Sequence, residues 1–153
     1  LCFEQNYSEV DGDSASSSEL YALLSAIGEL PVRQDIAITG SVNQMGILQP
    51  VSGINEKITG FYHTCKLCGF TGTQGVIIPK QNIRSLILPY EVEDDIKKGN
   101  FHLWALSTIE EGMELLTGLP SSSRDKRGLF KPGSFNRVIE DNLKKLYESG
   151  KGN

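Results

Sequence analysis

The sequence predicts a mixed α/β domain, of the α/β or α+β class, and three observations carry that prediction. Short apolar runs bounded by glycine or proline, such as Gly75–Pro79 (GVIIP), have the length and composition of buried strands. Between them lie segments whose apolar residues recur at i, i+3, i+4 and i+7, the spacing of a helix with one buried face. The two kinds alternate along the chain, as they do where helices pack on a sheet. A chain of 153 residues with 39% hydrophobic content can enclose one such core and carry a short appendage.

Leu1–Tyr7 (LCFEQNY) alternates well enough for a strand. Val10–Leu20 (VDGDSASSSEL) then joins it to a helix beginning near Ser16, with Leu20, Leu23, Leu24 and Ile27 on one stripe and Gly28 and Pro31 ending it. Ser16-x-x-Glu19 fits a capping box. Ile36–Gly40 and Gly46–Val51 read as two short strands joined by a turn around Asn43–Gly46. Gly53 and Asn55 open a second helix that buries Ile54, Ile58, Phe61, Tyr62 and Cys65. After the GVIIP strand, Lys80–Ile83 begins a helical turn, and Ser85–Leu88 is apolar but brief. Phe101–Leu106 is a further strand, and Ile109, Met113 and Leu116 mark a helix ending at Gly118 and Pro120. Ser121–Gly133 is polar and reads as a linker or docking loop. Arg137–Tyr147 is a last amphipathic helix with Ile139, Leu143 and Leu146 on one side, and 149–153 is expected to fray.

Composition excludes several function classes. The net charge of −4 disfavours a general nucleic-acid or anionic-membrane binder. No apolar run approaches the roughly 20 residues of a membrane span. Three cysteines give no disulfide framework, and a reducing cytoplasm is the simplest location. Cys65-x-x-Cys68 is a single pair, short of the four ligands a structural zinc site requires. Ser123-x-x-Lys126 lies in a polar loop without a following apolar helix, so it reads as a chance match to the Ser-x-x-Lys pattern. There is no G-x-x-x-x-G-K-[ST] and hence no P-loop. His63 and His102 fall on a helix and in a strand, ordinary places for interface or surface histidines.

Two residues stand out as candidate chemistry. Ser14 lies at the mouth of the first helix, where unpaired N–H groups and the positive end of the helix dipole meet. Donors placed there cap the helix, or stabilise an oxyanion forming on a substrate carbonyl. Lys57 falls in the first turn of the second helix, where a cation opposes the dipole, and such local conflicts concentrate at functional sites. A solvated surface lysine is the ordinary alternative. A lysine in a water-poor site is easier to deprotonate, and a serine with a neutral lysine base is a known variant of the serine–histidine arrangement. Asp11 and Asp13, just before Ser14, either pair with the helix N-terminus or hold the Lys57 ammonium in a resting state.

The residues DGDSAS, followed by ITGSVNQMGILQPVSGINEKI and GVIIP, resemble the Lon protease proteolytic domain, whose active-site loop usually reads DGPSAG. The serine–lysine interval of 43 residues is that of the family. The similarity runs from about Leu1 to Leu119, and VDGDSAS with NEK is similar to the Lon-related, LonB-like branch. Asp13 stands where the family usually has proline, and Ser16 where it usually has glycine.

The resemblance implies a Lon proteolytic fold, related to the second domain of ribosomal protein S5. It implies Ser14 as nucleophile, Lys57 as general base, Thr39 as the residue orienting the lysine, and Asp11 and Asp13 as acidic modulators. Backbone N–H groups at Ser14 and nearby would form the oxyanion hole. The implied activity is a serine endopeptidase cutting unfolded or damaged proteins, assembled as a hexameric ring beneath an upstream AAA+ module. That module, absent from this chain, would bind ATP and Mg; the chain itself is expected to need no cofactor and no metal. The expected organisation is a proteolytic domain over 1–119 and an appended linker and helix over 120–153. Two other functions compete: a small-molecule kinase of the galactokinase (GHMP) type, in which the serine loop would bind phosphate, and a non-catalytic assembly module of the same fold. Asp11 and Asp13 would repel a phosphate, and intact Ser14, Lys57 and Thr39 speak against decay.

Overall fold

The computed structural model describes residues 13–150, so the strand expected over Leu1–Tyr7, and Asp11, lie outside the described residues. The elements run α1 (Ser16–Gly28), β1 (Ile36–Ile38), β2 (Ser41–Val42), β3 (Leu48–Gln49), α2 (Ile54–Cys68) and β4 (Gly75–Pro79). A 3-10 turn over Lys80–Ser85 follows, then α3 (Tyr90–Lys98), β5 (His102–Leu106), α4 (Ile109–Thr117) and α5 (Phe135–Gly150). The mixed α/β class is as the alternation predicts.

β1, β4 and β5 form a parallel sheet in the order β1-β4-β5, with Ile36 opposite Gly75 and Gly75 opposite His102. Each parallel step is bridged by a helix: α2 leads from β1 to β4, and α3 from β4 to β5. Two crossovers of one hand, stepping the same way across a sheet, fall on one face. α2 and α3 accordingly share a core with Val76 and Ile78, built from Ile54, Ile58, Tyr62, Val92 and Phe101. α1, α4 and α5 share the other core with Ile77, through Tyr21, Ile109, Met113, Leu116, Phe135 and Ile139. The central strand β4 is buried along its whole length, and its side chains alternate between the two cores, as period 2 requires.

Several expectations need correction. Ile36–Gly40 does not pair with Gly46–Val51. The hairpin is Ser41–Val42 against Leu48–Gln49, around the Asn43–Gly46 turn, while β1 belongs to the parallel sheet. Ser16 and Glu19 form no capping box: α1 has Ala15 at its N-cap, with no side-chain cap. The box occurs on α4 instead, where Thr108 and Glu111 satisfy each other's backbone N–H groups. Gly28 is the last helical residue rather than the left-handed cap, which is Glu29 at φ 51°. Gly28 is needed for space, since a Cβ there would stand 3.1 Å from the Ile139 side chain of α5.

α3 is an element the apolar pattern missed. Its N-cap Pro89, Glu91 and Glu93 in the first turn, Lys97 and Lys98 in the last, and Gly99 at the C-cap are all helix signals. The polar segment after Pro120 is folded back on the domain: Arg124 pairs with Glu140 at 2.8 Å and lies over the Phe130 ring. α5 is longer than expected, reaching Gly150, so residues 149 and 150 are helical and only 151–153 of the expected frayed end lie outside the description. Phe135 and Ile139 are its buried residues, whereas Leu143 and Leu146 are 47% and 58% exposed.

Candidate active site

The site is assembled at the carboxyl end of β1. The chain leaves the strand through Thr39 and Gly40, and both backbone groups of Gly40 point at the serine loop. Its N–H donates to Ser14 O at 2.9 Å, and its carbonyl accepts from the Ser17 N–H at 3.2 Å and from Ser17 Oγ at 2.7 Å. A Cβ at Gly40 would stand 3.0 Å from Pro79 Cγ and 3.4 Å from Ser17 Oγ, so the approach is as close as a backbone without a side chain allows.

The serine triplet is spent on the same seam. Ser16 Oγ accepts from the Val42 N–H at 3.1 Å, Ser17 Oγ donates to Gly40, and Ser18 Oγ donates to Ile38 O at 3.2 Å. Three hydroxyls with the look of a capping signal instead stitch the first turn of α1 to the backbone of β1, of β2 and of Gly40 between them. No one-dimensional pattern carries that, because the strand partners lie 20 to 26 residues away.

Lys57 comes from α2. Gly53, the N-cap, takes the left-handed conformation at φ 65°, which favours glycine, and its carbonyl accepts from the Lys57 N–H at 3.1 Å. Ile54 and Ile58 are buried in the α2 core and fix the rotation of the helix. That rotation aims Lys57 at the serine loop. Its Nζ donates to Ser14 Oγ at 2.9 Å. Lys57 is an exposed residue, and among the described residues it makes no ion pair.

A shallow cavity of about 260 Å³ joins the two, lined by Ser14, Ala15, Ala37, Ile38, Thr39, Lys57 and Val76. Thr39 is 8% exposed, and its N–H donates to Ile77 O at 3.1 Å, so β4 sets its position. At the mouth of α1, the Ser16 and Ser17 N–H groups are taken by Asp13 O and Gly40 O, while those of Ser14 and Ala15 have no acceptor among the described residues. Asp13 does not reach Lys57: its carboxylate accepts from Ser41 Oγ in a short hydrogen bond. Asp11 lies outside the described residues.

The other candidates stand apart. His63 Nε2 is 3.0 Å from Glu91, and His102 Nε2 is 2.8 Å from Gly72 O. Cys65 is buried and Cys68 exposed, both as free thiols. Burial pushes the Cys65 thiol above its usual range, which disfavours the thiolate. Ser123 and Lys126 sit on an exposed stretch of the 121–133 loop. Among the described residues no group of three His, Cys, Asp or Glu could hold a metal, and no helix is long and apolar enough to cross a membrane.

Fold and site together describe an α/β domain that presents a serine at a helix mouth to a lysine on a neighbouring helix. The family model for the Lon protease (S16) C-terminal proteolytic domain matches residues 8–117, and the chain belongs to that family. It is 53% identical over 119 residues, 78% of its length, to a Lon protease homolog of Escherichia coli (strain K12). To a Lon protease homolog of Haemophilus influenzae it is 43% identical over 140 residues, 92% of its length. An archaeal Lon protease of Pyrococcus abyssi is 40% identical over 95 residues, 62% of this chain and 9% of that protein, in keeping with the LonB-like character of the serine loop. The chain spans only about a fifth of the length of the two bacterial relatives, 20% and 23%.

Proposed function

We propose that this chain is the serine endopeptidase domain of a Lon-like protease, with Ser14 as nucleophile and Lys57 as general base. The single observation that carries the reading is the 2.9 Å separation of Lys57 Nζ and Ser14 Oγ, within the reach a base needs for proton abstraction. In the resting arrangement the lysine donates. With the amine neutral the same line runs the other way: Ser14 Oγ donates to Nζ, and the oxygen attacks the carbonyl carbon of the scissile bond. The developing oxyanion meets the Ser14 and Ala15 N–H groups at the positive end of α1. Lys57 then returns the proton to the leaving amine, and water attacks the acyl-serine by the same route. Thr39, buried in the cavity wall, bounds the space in which the lysine side chain moves.

The shallow, open site suits an extended, unfolded segment rather than a folded protein. In this reading the substrates are unfolded or damaged polypeptides, delivered in the cytoplasm through a hexameric ring by an AAA+ module outside this chain. That module carries ATP and Mg; this chain supplies the hydrolytic residues and needs no cofactor or metal. Ser14→Ala should abolish cleavage of an unstructured fluorogenic peptide while leaving thermal unfolding unchanged, and an acylating probe should label Ser14 in the parent only. Lys57→Arg should be inactive as well, because a guanidinium keeps its proton. Full activity of Ser14→Ala would refute the assignment.

A further inference from the structure

Asp13 precedes the proposed nucleophile directly, and a carboxylate there has two places to go. One is the Lys57 amine, which is within hydrogen-bond distance of the adjacent Ser14. The other is Ser41, whose hydroxyl it accepts. The described arrangement is the second, and the surroundings of Ser41 explain why it holds. Ser41 is 5% exposed and opens β2, paired with Gln49 of β3. The hairpin is anchored by Leu48, which is 1% exposed, whose N–H donates to Ser107 O at 2.9 Å. The residues on either side of Ser41 are tied to the same loop, Gly40 to Ser14 and Ser17, and Val42 to Ser16. Ser41 therefore presents its hydroxyl from a fixed backbone.

The other walls of the site offer Asp13 no competitor and Lys57 little charge. β1 and β4 contribute Ala37, Ile38, Thr39 and Val76, none of them titratable. Among the described residues, the serine loop contributes Asp13, which precedes Ser14 directly, and α2 contributes Glu56, whose carboxylate approaches Gly53 as the Lys57 side chain does. Building on the serine–lysine reading above, we propose that Ser41 is a positioning residue. It holds the Asp13 carboxylate on the hairpin, off the Lys57 amine, and so leaves that amine to Ser14. Where the family usually carries a proline before the serine, this chain achieves a defined loop with a side-chain latch.

The test uses the full chain and two readouts. Peptide hydrolysis gives kcat and KM across pH, and the rate at which Lys57 is acylated by an amine-directed reagent, followed by peptide mapping, reports the free amine without turnover. Ser41→Ala frees the carboxylate. An opposite charge within reach favours an ammonium by one or more pH units, so at fixed neutral pH both kcat and Lys57 acylation should fall about tenfold, with KM within twofold and the rising limb of kcat displaced to higher pH. Adding Asp13→Asn to Ser41→Ala should return the limb and the acylation rate toward the parent. Ser41→Cys, nearly isosteric and a much weaker donor, carries the same expectation should the alanine variant unfold. A merely structural role would lower kcat without moving the limb, and Asp13→Asn would not rescue it. An unmoved limb and an unchanged acylation rate in a folded Ser41 variant overturn the latch. Failure of the parent to cut the peptide overturns the protease reading instead, and the acylation arm still decides the latch.

Discussion

Replacing Ser17 by alanine separates the seam of serines from ordinary helix capping. Ser17 is fully buried, and its Oγ lies 2.7 Å from Gly40 O. The variant loses one short neutral hydrogen bond, a cost of about 0.5–1.5 kcal/mol. Gly40 O keeps its second donor, the Ser17 N–H at 3.2 Å, so no carbonyl is orphaned and the larger desolvation penalty is not incurred. Alanine returns a few tenths of a kcal/mol in helix propensity, at roughly the size of the small hole left behind. The net expectation is a loss of about 1 kcal/mol, or about 2–4 °C in Tm for a domain of this size. Ser18→Ala is the internal control: its bond to Ile38 O is longer, at 3.2 Å, and partly exposed, so its effect should stay within about 0.5 kcal/mol. Because the Gly40 carbonyl also fixes the turn that presents Ser14, Ser17→Ala should lower kcat severalfold with KM little changed. Misplacement of the reacting group by a fraction of an ångström is enough for that, about 1 Å being worth 100-fold. Urea unfolding followed by the single tryptophan, Trp104, gives the first number, and hydrolysis of an unstructured peptide the second. Stability within 0.3 kcal/mol of the parent (roughly the error of such comparisons) together with unchanged kcat would refute the reasoning, as would a larger loss in Ser18→Ala.

Four further outcomes follow from other parts of the fold. Tyr21 OH is buried without a hydrogen-bond partner among the described residues, and burial pushes its ionisation well above the usual phenol range, so Tyr21→Phe should raise stability by about 1 kcal/mol in urea melts. A Cβ at Gly112 would fall 1.9 Å from that hydroxyl and 2.4 Å from Tyr21 Cζ, so Gly112→Ala should cost about 2–3 kcal/mol, and Tyr21→Phe should not rescue it fully, because the ring carbon still collides. Glu29→Gly should stabilise by about 1 kcal/mol, since the residue holds a left-handed conformation at φ 51°; an equal or lower melting temperature would contradict this. Arg33, hydrogen-bonded to Asp35, holds its carboxyl down at about 2. That stabilisation is complete above the unfolded value near 3.9 and is lost as pH falls from about 4 through 2. The pair is partly solvated, so it is worth about 1 kcal/mol or less; Asp35→Asn should be less stable by that amount at pH 7 and equal to the parent near pH 2.

The elements that the sequence made legible are those whose burial is local. GVIIP is apolar throughout because β4 is covered on both faces, and the spacing of Ile54, Ile58, Tyr62 and Cys65 maps directly onto the buried side of α2. α3 escaped because only Val92 and Ile96 in its nine residues are aliphatic, too few for a period; its signals are in caps and charges. Ser14 and Lys57 could be paired because both open helices after glycine-containing loops, and Lys57 sits where the dipole disfavours it. What the residues alone could not supply is the partner of each hydroxyl. A serine at a helix start has the same local sequence whether it caps the helix or bonds a distant backbone, and tertiary neighbours decide between the two for Ser16, Ser17 and Ser18.

The covered middle strand has a consequence for anyone who would redesign this domain. Val76 forms part of the wall beside Ser14, while its neighbour Ile77 faces the opposite core and offers its carbonyl to the Thr39 N–H. β4 is held by ladders on both edges, so it cannot slide to absorb a change in side-chain volume. On the protease reading proposed above, enlarging or trimming position 76 reshapes the room available to a substrate. Altering position 77, on the far side and out of sight of the cavity, displaces Thr39 instead. Substrate fit and threonine placement are thus two separate controls set one residue apart, and a library aimed at cleavage preference should vary Val76 while leaving Ile77 alone.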